Sequence, residues 1–126
     1  MTATPDDAAR FLELVATGAL LPPALQEELV RGVATPQPGL RYGLGVFVID
    51  GTLTAGSGPA IGHGGDIMGF HSSGLYFPEK KMTIFAAVNS DRGSGNDPMA
   101  AALVELAAAA TPEPTLEGEP RARGSM

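Results

Sequence analysis

Two apolar runs, Ser72–Phe77 and Met82–Asn89, are separated only by Pro78-Glu79-Lys80-Lys81. So short a connection joins antiparallel neighbours, because a parallel return needs a crossover of a dozen or more residues. The spacing therefore predicts a hairpin with a charged tip. Upstream of it lies Gly62-His63-Gly64-Gly65-Asp66, followed by Gly69-Phe70. Glycines let a backbone come close to a ligand, and the imidazole adds a donor beside it. That combination on the lip of a sheet suits an anion or a carbonyl oxygen. The competing reading is a tight turn that carries a surface histidine.

The remaining punctuation places helices on either side of these strands. Thr4 can cap a helix, Pro5 suits its first position, and Asp6 and Asp7 favour the positive end of its dipole. Ala8, Phe11, Leu12 and Val15 then recur at helical spacing, and Gly18 is a natural stop. A second short helix follows Pro22-Pro23 through about Val30 and ends near Gly32. Pro36-Gln37-Pro38-Gly39 is a loop. Arg41–Asp50 reads as one strand with Tyr42, Leu44, Val46 and Val48 on one face. Gly43 and Gly45, on the other face, suggest close approach by another backbone. Gly51–Pro59 is rich in turn residues, and Ala60–His63 enters the glycine motif as a strand end. Asn96-Asp97-Pro98 opens a last helix, rich in Ala and Leu, to about Ala110. The expected fold class is α+β: an antiparallel sheet flanked by helices, in one domain over residues 1–110. From Thr111 to Met126 the composition turns to Pro, Glu, Gly and Arg and reads as a disordered tail.

Charge and composition narrow the partners. With 8 Lys and Arg against 14 Asp and Glu, the net charge is −6. This disfavours nucleic acid and anionic membrane, which both require clustered basic charge. No apolar run is long enough for a membrane span, and the polar opening Met1–Asp6 does not read as a signal peptide. The chain has no cysteine, which excludes disulfides, thiolate metal sites and a cysteine nucleophile. It suits exported and cytoplasmic proteins alike. His63, Asp66 and His71 are the candidates for a metal site, but their spacing matches no strong ligand pattern. Ser73 shares a strand face with His71, yet no Gly-x-Ser-x-Gly elbow surrounds it.

Four pieces, in order, resemble the C-terminal part of the serine β-lactamase-like hydrolases, the group of class C β-lactamases, D-alanyl-D-alanine carboxypeptidases and related esterases. They are Thr2–Leu12 with Gly18-Ala19-Leu20-Leu21, Tyr42-Gly43-Leu44-Gly45-Val46, Gly62-His63-Gly64-Gly65 with Gly69-Phe70, and Met82–Asn89. The likeness covers roughly residues 2 to 110. The second piece is similar to the family's Tyr-Gly-Leu-Gly-aromatic strand. The third is similar to its last active-site motif, Lys-Thr-Gly in many members and His-x-Gly in this branch.

The resemblance implies roles residue by residue. His63 stands where the family's Lys or His orients substrate. Gly64 and Gly65 stand where the strand edge hydrogen-bonds a backbone-like amide. The Asp66 N–H stands where half of an oxyanion hole is supplied, the other half coming from the nucleophilic serine. Phe70 lies close enough to line the pocket. Asp66 departs from the small residue expected there, since a carboxylate beside a developing oxyanion is unfavourable unless it points away. No cofactor is implied.

The family's other two motifs are not in this sequence. None of Ser57, Ser72, Ser73, Ser90 and Ser94 has Lys three residues on, and neither Tyr42 nor Tyr76 opens a Tyr-x-Asn. The expectation is a C-terminal fragment or subunit of a serine hydrolase acting on a β-lactam, a D-Ala-D-Ala peptide or an ester. It would be inactive alone and would need an N-terminal complementary chain. The alternative is a non-catalytic α+β module that binds a ligand or forms a homo-oligomer. Either way, apolar strand faces and an unpaired sheet edge imply dimerisation, swapping or aggregation.

Overall fold

A computed structural model describes residues 2–90 and 98–110. The order is α1 (Pro5–Ala16), α2 (Pro23–Arg31), β1 (Val33–Ala34), β2 (Leu40–Tyr42), β3 (Phe47–Ile49), a 3-10 turn (Gly51–Leu53), β4 (Ala60–Ile67), β5 (Phe70–Phe77), β6 (Met82–Val88) and α3 (Pro98–Ala109). The six strands form one sheet in sequence order, each antiparallel to the next. The α+β class and the hairpin are as the spacing required. The expected tail from Thr111, and Asn96 and Asp97 at the start of the last helix, lie outside the described residues.

Helix α1 begins as its sequence dictates. The Thr4 hydroxyl accepts from the Asp7 N–H at 3.1 Å, and the Asp7 carboxylate accepts from the Thr4 N–H at 2.9 Å. This reciprocal box satisfies backbone donors that the first turn leaves unpaired. It ends in a Schellman arrangement, with Gly18 at φ +77° and the Ala19 N–H on the Leu14 carbonyl.

The long strand expected over Arg41–Asp50 is instead two short strands, β2 and β3, paired with each other through a bend at 43–46. The Gly43 N–H closes the bend on the Val46 carbonyl at 2.7 Å. Gly43 does meet another backbone: a Cβ there would lie 2.1 Å from the Leu29 carbonyl oxygen. Gly45 does not, with open space around it. Its φ of +80° is why glycine occupies the bend.

The sheet packs against helices on both faces. On one, Ala60, Leu75 and Phe77 meet Leu103 and Ala107 of α3, with Ile49, Met82, Ile84, Ala86 and Val104 around them. Each large side chain fully buried there stabilises the fold by roughly 1.5–3 kcal/mol. On the other, Leu12 of α1 reaches Gly74 and Phe85, and a Cβ on Gly74 would sit 3.0 Å from each. Between β3 and β4 the buried Thr54 hydroxyl ties the loop, 3.0 Å from the Gly51 carbonyl and 2.6 Å from that of Gly58.

Candidate functional site

The glycine motif is neither a tight turn nor a strand end. It lies inside β4, and the turn falls beyond it at Met68–Gly69, where Gly69 takes φ +85°. Gly62 can only be glycine, because a Cβ would stand 1.9 Å from the Gly74 carbonyl oxygen across the hairpin.

Strand β4 has two neighbours for only part of its length. β3 covers Ala60, Ile61 and Gly62, whereas β5 continues opposite the strand to Ile67. Beyond Gly62 the bend at 43–46 carries the chain away, so His63–Ile67 present an open edge among the described residues.

Hydrogen-bond phase decides which backbone groups occupy that edge. In an antiparallel pair, residues turn both N–H and C=O alternately toward one neighbour and the other. The Asp50 N–H bonds the Gly39 carbonyl and the Gly43 N–H bonds the Val46 carbonyl, while the Thr35 N–H takes the Leu40 carbonyl toward β1. Phe47 and Ile49 are therefore turned toward β4, where they face Gly62 and Ala60. The same phase continued along β4 turns Gly64 and Asp66 toward the open edge, and His63 and Gly65 toward β5. Of the residues expected to hydrogen-bond along the edge, Gly64 and Asp66 have the required direction. The amide of Gly65 is committed to the hairpin.

Side chains frame the edge. The His63 ring sits where β3 ends, with its centroid 5.8 Å from that of Tyr42 and 5.2 Å from that of Phe47. Its Nε2 is 3.0 Å from the Tyr42 hydroxyl, and its Nδ1 meets the Gly64 carbonyl. With the proton on Nδ1, the ring donates to Gly64 and accepts from Tyr42, so both nitrogens are engaged. Tyr42 and Phe47 meet edge to face at 4.7 Å. Tyr42, read from sequence as one of the residues on a strand face, is thus also the polar partner of His63. Their separation of 21 residues left no local signal.

Asp66 pairs with His71 across the hairpin, its Oδ1 against His71 Nδ1. His71 belongs to β5, on the side away from the open edge. The departure noted at Asp66 is thereby accommodated: the carboxylate is drawn toward β5 while the amide faces outward. Local spacing concealed this pair as well, because it depends on the Met68–Gly69 turn setting Asp66 opposite His71. His63 takes no part in it, and among the described residues no three His, Asp or Glu side chains gather as a metal site would require.

A groove of ≈ 850 Å³ runs between α3 and the β3–β4 side of the sheet. His63, Gly64 and Asp66 line it with Phe47, Leu75 and Val104. Phe70 is placed elsewhere. It stands opposite Ile67 at the hairpin end, exposed, over a separate hollow that it shares with Gly65, His71 and Val88. The arrangement offers two outward backbone residues, one aromatic-framed imidazole and an apolar groove beside them. It can hold a carbonyl or carboxylate and an extended backbone.

Comparison with known proteins gives the family and a similar fold. The sequence matches the Beta-lactamase family over residues 1–109. The fold is similar to the crystal structure of a D-stereospecific amidohydrolase from Streptomyces sp., with a TM-score of 0.59 at 26% identity. The match covers 68% of this chain and 25% of that one, so the chain spans about a quarter of the amidohydrolase's length. No curated protein matches the sequence.

Proposed function

The chain belongs to the beta-lactamase family, and from that premise we propose that it supplies the substrate-binding edge of a serine-hydrolase site. The observation that carries the proposal is the open stretch of β4, with Gly64 and Asp66 facing outward next to His63. Gly64 binds the backbone-like part of a substrate in strand fashion. The Asp66 N–H is one donor to the oxyanion that forms when a carbonyl is attacked. Such a donor acts because it is already aimed at the developing charge, and losing one costs roughly 10²–10³ in kcat. His63, fixed by Tyr42 and Gly64, orients the substrate.

The nucleophile comes from outside this sequence, which contains no Ser-x-x-Lys. A serine activated by such a lysine, or by the tyrosine of Tyr-x-Asn, would form the acyl-enzyme and bring the second oxyanion donor. The reaction class is acyl transfer from a β-lactam, a D-Ala-D-Ala peptide or an ester. The structural neighbour's name, D-stereospecific amidohydrolase, supports an amide-type carbonyl as the group bound.

The test uses the purified chain with nitrocefin and p-nitrophenyl acetate, alone and mixed with a family segment bearing Ser-x-x-Lys and Tyr-x-Asn. Turnover on mixing only is the expected result. Turnover by the chain alone, clearly above buffer, would contradict the outside nucleophile. Silence in both arms, with binding between the two pieces demonstrated, would contradict the proposed role.

A further inference from the structure

Asp66 puts a negative charge on the residue whose N–H is offered to an oxyanion. A carboxylate so near opposes the charge that this donor receives. Where the carboxylate sits depends on one rotation. Asp66 shares a sheet face with Gly62 and Gly64, so its Cβ stands off the sheet while its backbone groups lie along it. The staggered χ1 positions lean the carboxylate toward β5, along the strand, or over the open edge. The structure holds it on the β5 side, with Oδ1 against His71 Nδ1. An ionised carboxylate only accepts, so the proton of this bond is on Nδ1 and His71 is the donor.

The two partners are unequal. The His71 side chain is 18% exposed and that of Asp66 76%. His71 has a strand on each side, opposite Asp66 on β4 and opposite Val88 on β6. Its Nε2 is buried and has no hydrogen-bond partner among the described residues, so the bond to Asp66 is the one that the ring makes there. Among the described residues no Lys or Arg pairs with Asp66. A buried ring thus anchors an exposed carboxylate that is otherwise free to turn.

We propose that His71 is a positioning residue for the oxyanion donor: its Nδ1–H holds the Asp66 carboxylate off the open edge and so keeps the Asp66 N–H usable by an anion. The inference rests on the hydrolase reading of that edge. Both partners belong to this chain and to one hairpin, so the device needs no group from elsewhere. It explains how an acidic residue serves where the family resemblance calls for a small one. Without the bond, χ1 is released, and the carboxylate reaches the edge and repels the charge forming there.

The first test uses the purified chain. Base-catalysed exchange of a peptide N–H passes through a transient negative charge on that peptide, so its rate at Asp66 reads the field an oxyanion would feel. The Gly64 amide, on the same edge, is the reference. His71→Leu keeps bulk and removes the donor; at neutral pH it should slow the Asp66 amide about threefold relative to Gly64. His71→Asn, whose side-chain N–H falls near the place of Nδ1–H, should keep the natural ratio. His71→Leu/Asp66→Asn has no charge to release and should show no slowing. A merely structural contact would act in the opposite sense, since a loosened hairpin exchanges faster. Should His71→Leu fail to fold, His71→Gln replaces it, because its amide falls near Nε2 and misses Oδ1.

The second test measures turnover in the mixture with the Ser-x-x-Lys segment. His71→Leu should lower kcat about tenfold with KM changed less than about twofold, since the donor acts on the transition state. Adding Asp66→Asn to it should recover most of that loss. Silence of the natural chain, with binding between the two pieces demonstrated, would overturn the hydrolase reading and this inference with it. An Asp66-to-Gly64 ratio unmoved or raised in folded His71→Leu, or a kcat that it leaves unchanged, would overturn this inference alone.

Discussion

Along β4, Ala60–Gly62 have a strand on each side, while His63–Ile67 have one on a single side. The first stretch is buried at Ala60, close-packed at Gly62 and roofed by the α3 core. The second is exposed at His63, Asp66 and Ile67. β4 runs unbroken through Gly62. What changes is the departure of β3 through the 43–46 bend. The difference teaches that a site can be made from regular structure by withdrawing one neighbour. The remaining partner holds the strand straight, and alternate backbone groups are released to a ligand at fixed spacing.

The comparison can be broken at the two ends of β5. Phe77 is fully buried in the core cluster beside Ala60, whereas Phe70 is 56% exposed opposite Ile67. Phe77→Ala should cost about 3–5 kcal/mol, the usual loss for a buried aromatic. Phe70→Ala should stay within about 0.5 kcal/mol. Chemical denaturation of both variants checks this, and equal losses would mean the open end is as tightly built as the covered one.

Two glycines sharpen the contrast within β4 itself. Gly62→Ala drives a methyl into the Gly74 carbonyl and should cost about 3 kcal/mol, near the upper end for overpacking. A Cβ at Gly65 meets only the Ser72 hydroxyl oxygen, at 2.9 Å, and that side chain can rotate. Gly65→Ala should therefore cost less than about 1 kcal/mol. Thermal melts of the pair would expose any reversal of this order.

An effect away from β4, in the cap of α1, sets a baseline. Thr4→Ala should cost about 1 kcal/mol, read from the same melts. The Asp7 carboxylate is held below its ordinary value of 3.8, chiefly by the Thr4 backbone N–H and then by its hydroxyl. A depressed carboxylate stabilises the folded state above its unfolded pKa, and that contribution is lost as pH falls through the folded one. The Tm of the natural chain should thus decline below pH 3.8 more steeply than that of Asp7→Asn.

Much of this was legible in the sequence because it is local. The Thr4 cap, the Gly18 stop, the Pro78–Lys81 hairpin and the strand period of its arms each rest on a few adjacent residues. The break between β2 and β3 was concealed because Tyr42, Leu44, Val46 and Val48 alternate as one strand would. The positive φ at Gly45 and the Leu29 carbonyl against Gly43 come from the fold, not from the pattern. The site was half legible. Gly62–Asp66 stands out in any reading, but the Tyr42–His63 and Asp66–His71 contacts depend on register. Which of Gly64, Gly65 and Asp66 faces outward depends on hydrogen-bond phase inherited from β2 and β3.

Residue-resolved hydrogen exchange along β4 tests that phase most directly. Ala60, Gly62, Gly64 and Asp66 share one direction, the first two covered by β3 and the last two open. The amides of Ala60 and Gly62 should be protected to near the global stability, and those of Gly64 and Asp66 should exchange close to the unprotected rate. An Asp66 amide as protected as that of Gly62 would mean it is bonded within the sheet, and would contradict its availability to an oxyanion.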